Sequence, residues 1–129
     1  QLGSAWPLDE ELTADVGGRD IATGLPRTQV VTSEEVRAAL DASVGTIVEA
    51  IKTTLERTPP ELAADIISQG LVLSGGGALL AGLPERVTHE TGIHAYLAPE
   101  PLYSVVLGCG LTLDNIEAMK GLTSQSYFE

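Results

Sequence analysis

The sequence predicts an α/β fold, and three observations lead there. From Ser33 onward helical and extended patterns alternate; a short apolar run, Leu71-Val72-Leu73-Ser74, feeds straight into Gly75-Gly76-Gly77; and residues 11–32 pattern as a two-stranded hairpin. Alternating helices and short strands favour parallel pairing. In such sheets ligands collect beyond the carboxyl ends of strands, which is where the three glycines would sit.

The elements follow in order. Glu11 to Thr32 reads as two strands joined at Thr23-Gly24-Leu25-Pro26, with Gly17-Gly18 expected to bulge or bend the first strand. Thr32-Ser33-Glu34-Glu35 has a hydroxyl and, three residues on, a carboxylate, the reciprocal pair that satisfies the first N–H groups of a helix. Val36, Leu40, Val44, Ile47, Val48, Ile51 and Leu55 then recur at steps of three and four and mark one buried face; Gly45 weakens the helix only slightly. Thr58-Pro59-Pro60-Glu61 is a second start signal, and Gly70 a left-handed stop, for a short helix from Glu61 to Gln69.

Leu71 to Ser74 is expected to be a buried strand. Leu83 to Thr91 reads as a helix with Pro84 early and Gly92 as its stop, and Ile93 to Ala98 as a second short strand. Leu102, Val105, Val106, Cys109, Leu113 and Ile116 mark a last helix from Leu102 to Met119. The tail, Gly121 to Glu129, is polar and without period, as a frayed terminus would be.

The glycine run is the most informative segment. Each glycine costs roughly 0.5–1 kcal/mol relative to alanine inside regular structure, so three in a row require either a turn or the close approach of another group. A helix starting just after them would add free N–H groups and a positive dipole end. A ligand-free strand-to-helix turn is the alternative.

Composition narrows the function classes. Apolar residues make up 43% and charged residues 19%, and only five residues are Phe, Trp or Tyr, so any core is aliphatic. No apolar run approaches the roughly 20 residues needed to span a bilayer, and no signal-peptide pattern opens the chain, so a cytosolic location is expected. A net charge of −11 repels nucleic acid and anionic lipid, which argues against binding at either.

Other candidate groups point to bland roles. Cys109 is the only cysteine, which rules out an internal disulfide; with no basic cluster nearby it is expected to pack as a small apolar group. His89 and His94 are too few for a closed metal site and read as surface residues. Asp9, Glu10 and Glu11 read as a solvated loop, since acid–base work by paired carboxylates needs a recessed pocket.

The stretch Thr58-Pro59-Pro60-Glu61-Leu62-Ala63-Ala64-Asp65-Ile66, the glycine run, Glu90-Thr91-Gly92-Ile93 and Pro99-Glu100-Pro101-Leu102 together closely resemble the MreB family of bacterial actins. The resemblance extends upstream through Gly3-Ser4-Ala5-Trp6-Pro7-Leu8-Asp9-Glu10-Glu11 and Gly18-Arg19-Asp20-Ile21-Ala22-Thr23-Gly24-Leu25-Pro26, and so covers nearly the whole chain. One departure is Leu107, which stands where the family has a basic residue ahead of its glycine-rich stretch, here Gly108-Cys109-Gly110.

The resemblance implies part of an actin-like ATPase fold of the ribonuclease-H-like kind. Residues 1–56 would form a small hairpin-plus-helix subdomain of the second lobe, 57–100 an α/β subdomain with the adenosine motif, and 101–129 a helix packing on the first lobe, plus a tail. Backbone at Gly75, Gly76 and Gly77, with Ala78 and Leu79, would border ATP bound with Mg2+. The implied function is a cytoplasmic, membrane-associated filament that directs wall synthesis and holds rod shape. Implied partners are like subunits, cell-wall elongation proteins, membrane-anchor proteins and, through parts absent here, the inner membrane surface; nucleic acid is not among them.

The family is well over twice as long, and the first residue is Gln1 rather than methionine, so the chain is expected to be a carboxy-terminal portion. The family hydrolyses ATP, but its phosphate hairpins, metal-positioning acids and water-orienting group would lie before Gln1, leaving no catalytic residue here. Another ATPase of the same superfold, of heat-shock chaperone or sugar kinase type, is the alternative. A patatin-like acyl hydrolase is the outside one, because Gly70 to Ala78 also looks like that family's oxyanion loop. The chain has no Gly-x-Ser-x-Gly elbow, however, and Leu79 replaces that family's arginine.

Overall fold

The structure is a computed structural model and describes residues 2–117. Strands β1 (Thr13–Arg19) and β2 (Pro26–Thr32) are followed by helices α1 (Ser33–Glu56) and α2 (Pro60–Gln69), strand β3 (Leu71–Leu73), helix α3 (Leu83–Thr91), strand β4 (Ala95–Leu97) and helix α4 (Ser104–Asp114). Met119 and the tail fall outside the described residues.

β1 and β2 pair antiparallel without a slip, from Thr13 opposite Thr32 to Arg19 opposite Pro26. Gly17 and Gly18 therefore do not bulge; they sit in register across from Thr28 and Arg27 on a strand with both faces largely open. The turn is pinned by Asp20, whose Oδ1 accepts from the N–H groups of Ala22 at 2.9 Å and Thr23 at 3.0 Å. Ile21 and Leu25 are exposed at its tip.

α1 begins as the sequence predicts. Glu35 N–H donates to Thr32 Oγ1 at 3.1 Å and Thr32 N–H donates to Glu35 Oε2 at 2.9 Å. The acidic run before the hairpin is not simply solvated: Arg37 Nη2 donates to Glu11 Oε1 at 2.6 Å, and the buried Ser33 hydroxyl donates to the same carboxylate. Glu11 thus ties the chain ahead of the hairpin to the first turns of α1.

The core lies between α1 and α3. Val44 and Val48 of α1, Leu83 and Val87 of α3, Ala95 of β4 and Ala5 are buried together, with Leu40, Ile51, Leu71, Leu73 and Leu80 packed around them. Ion pairs flank it: Arg86 Nη1 reaches Asp41 Oδ1 at 3.0 Å and Lys52 Nζ reaches Glu90 Oε2 at 2.9 Å. Near the amino end, Ser4 bridges to Ala81 in parallel, and Ala5 N–H donates to Ala81 O at 2.7 Å.

β3 and β4 run parallel with Leu71, Val72 and Leu73 opposite Ala95, Tyr96 and Leu97. β3 is half-buried rather than buried: Val72 is 55% exposed, and among the described residues β4 is the sole neighbouring strand. α2 ends on Gly70 with φ +88° and ψ −179°: the positive φ that favours glycine is there, but the ψ is not that of a left-handed helical stop. α4 buries none of its residues, and Cys109 is exposed instead of packed. No described helix is long and apolar enough to cross a membrane.

Candidate functional site

Two loops meet at the carboxyl ends of the parallel strands. Ala98 N–H, just past β4, donates to Leu73 O at 2.9 Å and extends the pairing by one bond. Beyond it the chains stay tied through one carbonyl: Pro101 O accepts from Gly75 N–H at 2.9 Å and from the Ser74 hydroxyl at 3.1 Å. The glycine loop after β3 and the 98–103 loop after β4 therefore form one edge.

Gly75 alone of the three glycines takes a positive φ, +85° with ψ 172°, a backbone that an L side chain rarely adopts. The helix expected directly after the run is a single 3-10 turn, Gly76–Leu79, and α3 starts only at Leu83. The tight turn follows from Ala78 N–H donating back to Gly75 O at 3.2 Å and Leu80 N–H to Gly77 O at 3.2 Å. Because the first of these bonds starts at Ala78, the turn itself does not use the N–H groups of Gly76 and Gly77.

Of the five residues expected to border a ligand, Gly75, Gly76, Gly77 and Leu79 are exposed and Ala78 is buried, anchoring the turn from below. A Cβ at Gly75 or Gly77 would meet nothing within 4 Å, and one at Gly76 would lie 3.5 Å from Leu102 Cδ2. Packing inside this chain thus does not demand the second and third glycines. Neither loop carries a Lys or Arg: the residues are Ser74 to Leu79 on one side and Ala98 to Tyr103 on the other, with Glu100 the one charge. This edge offers backbone and aliphatic surface, suited to the uncharged end of a ligand rather than to phosphate.

The remaining candidates lie elsewhere. His89 packs on Trp6 with ring centres 4.8 Å apart and His94 stacks on Tyr96 at 5.6 Å, both on the surface. Among the described residues no group of three or more His, Cys, Asp or Glu is placed to hold a metal ion. An apolar groove of about 510 Å³ between α1, α2 and β3, lined by Ile47, Ile51, Leu55, Ile66, Leu71 and Leu73, was not foreseen from the sequence. Its signal was there in the extra width of the apolar face of α1.

A hairpin leading into a long helix, then a parallel strand pair with its glycine loop, is an arrangement shared with solved actin-like structures, and it defines the class. MreB5 of Spiroplasma citri bound to ADP superposes with a TM-score of 0.85 and 31% identity, over 95% of this chain and 37% of that one. The same protein bound to AMPPNP gives 0.83 and 32%, over 91% and 35%.

The chain belongs to the MreB/Mbl protein family, whose sequence profile matches residues 1–121. It is 48% identical over 119 residues to the cell shape-determining protein Mbl of Bacillus subtilis strain 168, covering 92% of this chain and 36% of that protein. It is 43% identical over 121 residues to the cell shape-determining protein MreB of Escherichia coli strain K12, covering 94% and 35%. The chain therefore spans about a third of the length of the relatives it matches. Membership in this family sets aside the chaperone, sugar kinase and acyl hydrolase alternatives.

Proposed function

We propose that this chain is the part of an ATP-binding, filament-forming cell-shape protein that borders the adenosine of the nucleotide. Residues 1–56 serve as its hairpin-plus-helix subdomain, 57–100 as the α/β subdomain with the glycine loop, and 101–129 as the segment that packs on another lobe. Gly75, Gly76, Gly77 and Leu79 line the nucleotide, with Ala78 beneath them. Phosphate is held away from this edge, since neither loop has a cationic side chain, and Mg2+ goes with the phosphates it bridges. Like subunits are the main partners, with wall-elongation and membrane-anchor proteins behind them, and the filament lies in the cytoplasm against the inner membrane.

One observation supports the reading above the others. The exposed glycine loop stands at the carboxyl end of a parallel strand, the position where α/β folds take ligands, in a chain that superposes on nucleotide-bound MreB5. Hydrogen exchange on a full-length MreB/Mbl protein carrying this segment tests it. Mg-ATP should bind, and protection should rise at Gly75 to Leu79 on binding. Binding without any change at those amides would overturn the assignment of the loop.

A further inference from the structure

We propose that Arg37 is the positioning residue through which ligand at the glycine loop sets the angle of the β1–β2 hairpin. The inference rests on the nucleotide reading of that loop and extends it to a part of the chain that borders no ligand. The hairpin is an arm held at its base: of its strand residues only Ala14, Val31 and Thr32 are partly covered. Its angle is fixed where Leu12 and Ser33 meet, Leu12 N–H donating to Ser33 Oγ at 2.8 Å and Ser33 N–H donating to Leu12 O at 2.8 Å.

Arg37 fastens that base to the rest of the chain. Its Nη2 donates to Glu11 Oε1 at 2.6 Å, and the same carboxylate accepts from the Ser33 hydroxyl. Its Nη1 donates to Glu11 Oε2 at 3.3 Å, to Ser4 Oγ at 3.1 Å and to Trp6 O at 3.5 Å. The guanidinium is one rigid plane, so a shift of Ser4 against Glu11 breaks bonds rather than being absorbed by a flexible head group. Ser4 is fully buried and bridges to Ala81, with Ala5 N–H donating to Ala81 O at 2.7 Å. Ala81 lies just past the Gly76–Leu79 turn, which ends with Leu80 N–H donating to Gly77 O at 3.2 Å. A Cβ at Gly3 would lie 3.5 Å from both Leu40 Cδ1 and Leu80 Cδ1, so the amino-terminal stretch is packed between α1 and the end of that turn. Ordering of the turn by a ligand therefore reaches the hairpin base through one backbone bridge and one side chain. Contiguous packed and hydrogen-bonded chains of this kind can carry coupling between sites.

Hydrogen exchange on full-length protein carrying this segment, kept monomeric as judged by sedimentation, tests the link with and without Mg-ATP in wild type, Ser4→Ala and Arg37→Lys. Ser4→Ala removes the hydroxyl but keeps the backbone bridge, and Arg37→Lys keeps the charge but not the fork. Two variants of different chemistry are used so that misfolding of one does not decide the question. In wild type, Mg-ATP should slow exchange from Val16 to Val30 about fivefold or more, the low end of coupling between sites. In both variants that slowing should be largely lost, while protection at Gly75 to Leu79 still rises on binding. Hairpin amides that exchange faster in a folded variant by the same factor with and without Mg-ATP would overturn the proposal, since loss of a purely structural tie gives that result. So would a wild-type hairpin indifferent to Mg-ATP while Gly75 to Leu79 respond. No response at Gly75 to Leu79 in wild type would instead overturn the reading of the glycine loop, and this proposal with it.

Discussion

Gly82 lies so close against Trp6 that a Cβ on the glycine would stand 2.6 Å from Trp6 Cβ and 2.9 Å from its backbone nitrogen. The contact joins the start of α3 to the amino-terminal stretch next to the Ser4–Ala81 bridge, and Gly82 takes φ +73° there. Two penalties apply at once, a strained backbone and a clash with backbone atoms that cannot swing away. Gly82→Ala should therefore destabilise by more than the roughly 1–3 kcal/mol of strain alone. Gly92→Ala is the control, because φ is +71° but nothing lies within 4 Å of its Cβ. Gly45→Ala should do the opposite, adding about 0.5–1 kcal/mol in mid-helix where a Cβ also meets nothing. Urea melts of the three variants should rank Gly45→Ala above wild type, then Gly92→Ala, then Gly82→Ala; Gly82→Ala matching Gly92→Ala would show that the Trp6 contact yields freely.

Charge pairs that fasten α1 predict a stability plateau with two edges. Hydrogen bonds from Arg37, then from Ser33, hold the Glu11 carboxyl below its ordinary 4.5, and the hydrogen bond from Lys52 does the same for Glu90. A depressed carboxylate contributes stability that is present above the ordinary value and lost as pH falls through the lowered one. Lys52 is raised above 10.5, chiefly by its hydrogen bond to Glu90, so its contribution is complete below 10.5 and lost as pH rises through the raised value. The paired side chains are only partly covered and remain in reach of solvent, so the effect is modest and salt-sensitive. Melting temperatures should decline from about pH 4.5 downward, less steeply in Glu11→Gln with Glu90→Gln, and an acid limb of unchanged slope in that double variant would remove these carboxylates from the account.

The two glycines at the candidate site should fail in different ways. Gly75→Ala meets open space but opposes φ +85°, so it should cost stability in the chain itself with no ligand present. Gly76→Val meets no such backbone penalty, because Gly76 is not among the positive-φ residues, and its nearest neighbour is the end of the flexible Leu102 side chain. In full-length protein Gly76→Val should leave folding intact and lose nucleotide binding and polymerisation by filling the face over which Leu102 stands. Normal polymer formation by a well-folded Gly76→Val protein would favour the ligand-free turn.

What was legible in the sequence was what is local. Thr32 and Glu35 are three residues apart, and their reciprocal cap appears as the sequence predicts; Gly92 ends α3 at φ +71° and ψ 3° as a left-handed stop. The misreadings concern partners far along the chain or outside it. Glu11 meets Arg37 across 26 residues, a pairing that no local spacing marks in an acidic run. Gly17-Gly18 suggests a bulge or bend because glycine weakens strands, yet a hairpin with both faces open tolerates the pair in register. Apolar character predicts burial for β3 and Cys109, yet β3 is only half-buried, with Val72 open, and Cys109 is exposed; among the described residues nothing covers either. Even at the glycine run the sequence located the loop, but not that Gly75 rather than Gly76 holds the unusual backbone, nor that Pro101 and Leu102 share the edge.

α4 should be the least stable helix of the isolated 129-residue chain. Val105 is 78% exposed, Val106 62%, Leu107 54%, Leu111 64% and Leu113 69%, whereas α1 buries Val44 and Val48 almost completely. Helices in proteins are held mainly by packing an apolar face, and each fully buried aliphatic side chain contributes roughly 1.5–3 kcal/mol, so a helix that forgoes several such burials is left with propensity alone. Two glycines, Gly108 and Gly110, lower even that. The same exposed aliphatic surface should drive self-association of the isolated chain as concentration rises. Hydrogen exchange should therefore find fast amides from Val105 to Ile116 beside slow ones from Val36 to Leu55, with sedimentation showing concentration-dependent association. Equal protection of both helices in a strict monomer would mean that α4 is stable without a partner, and would remove the ground for assigning residues 101–129 to a contact with another lobe.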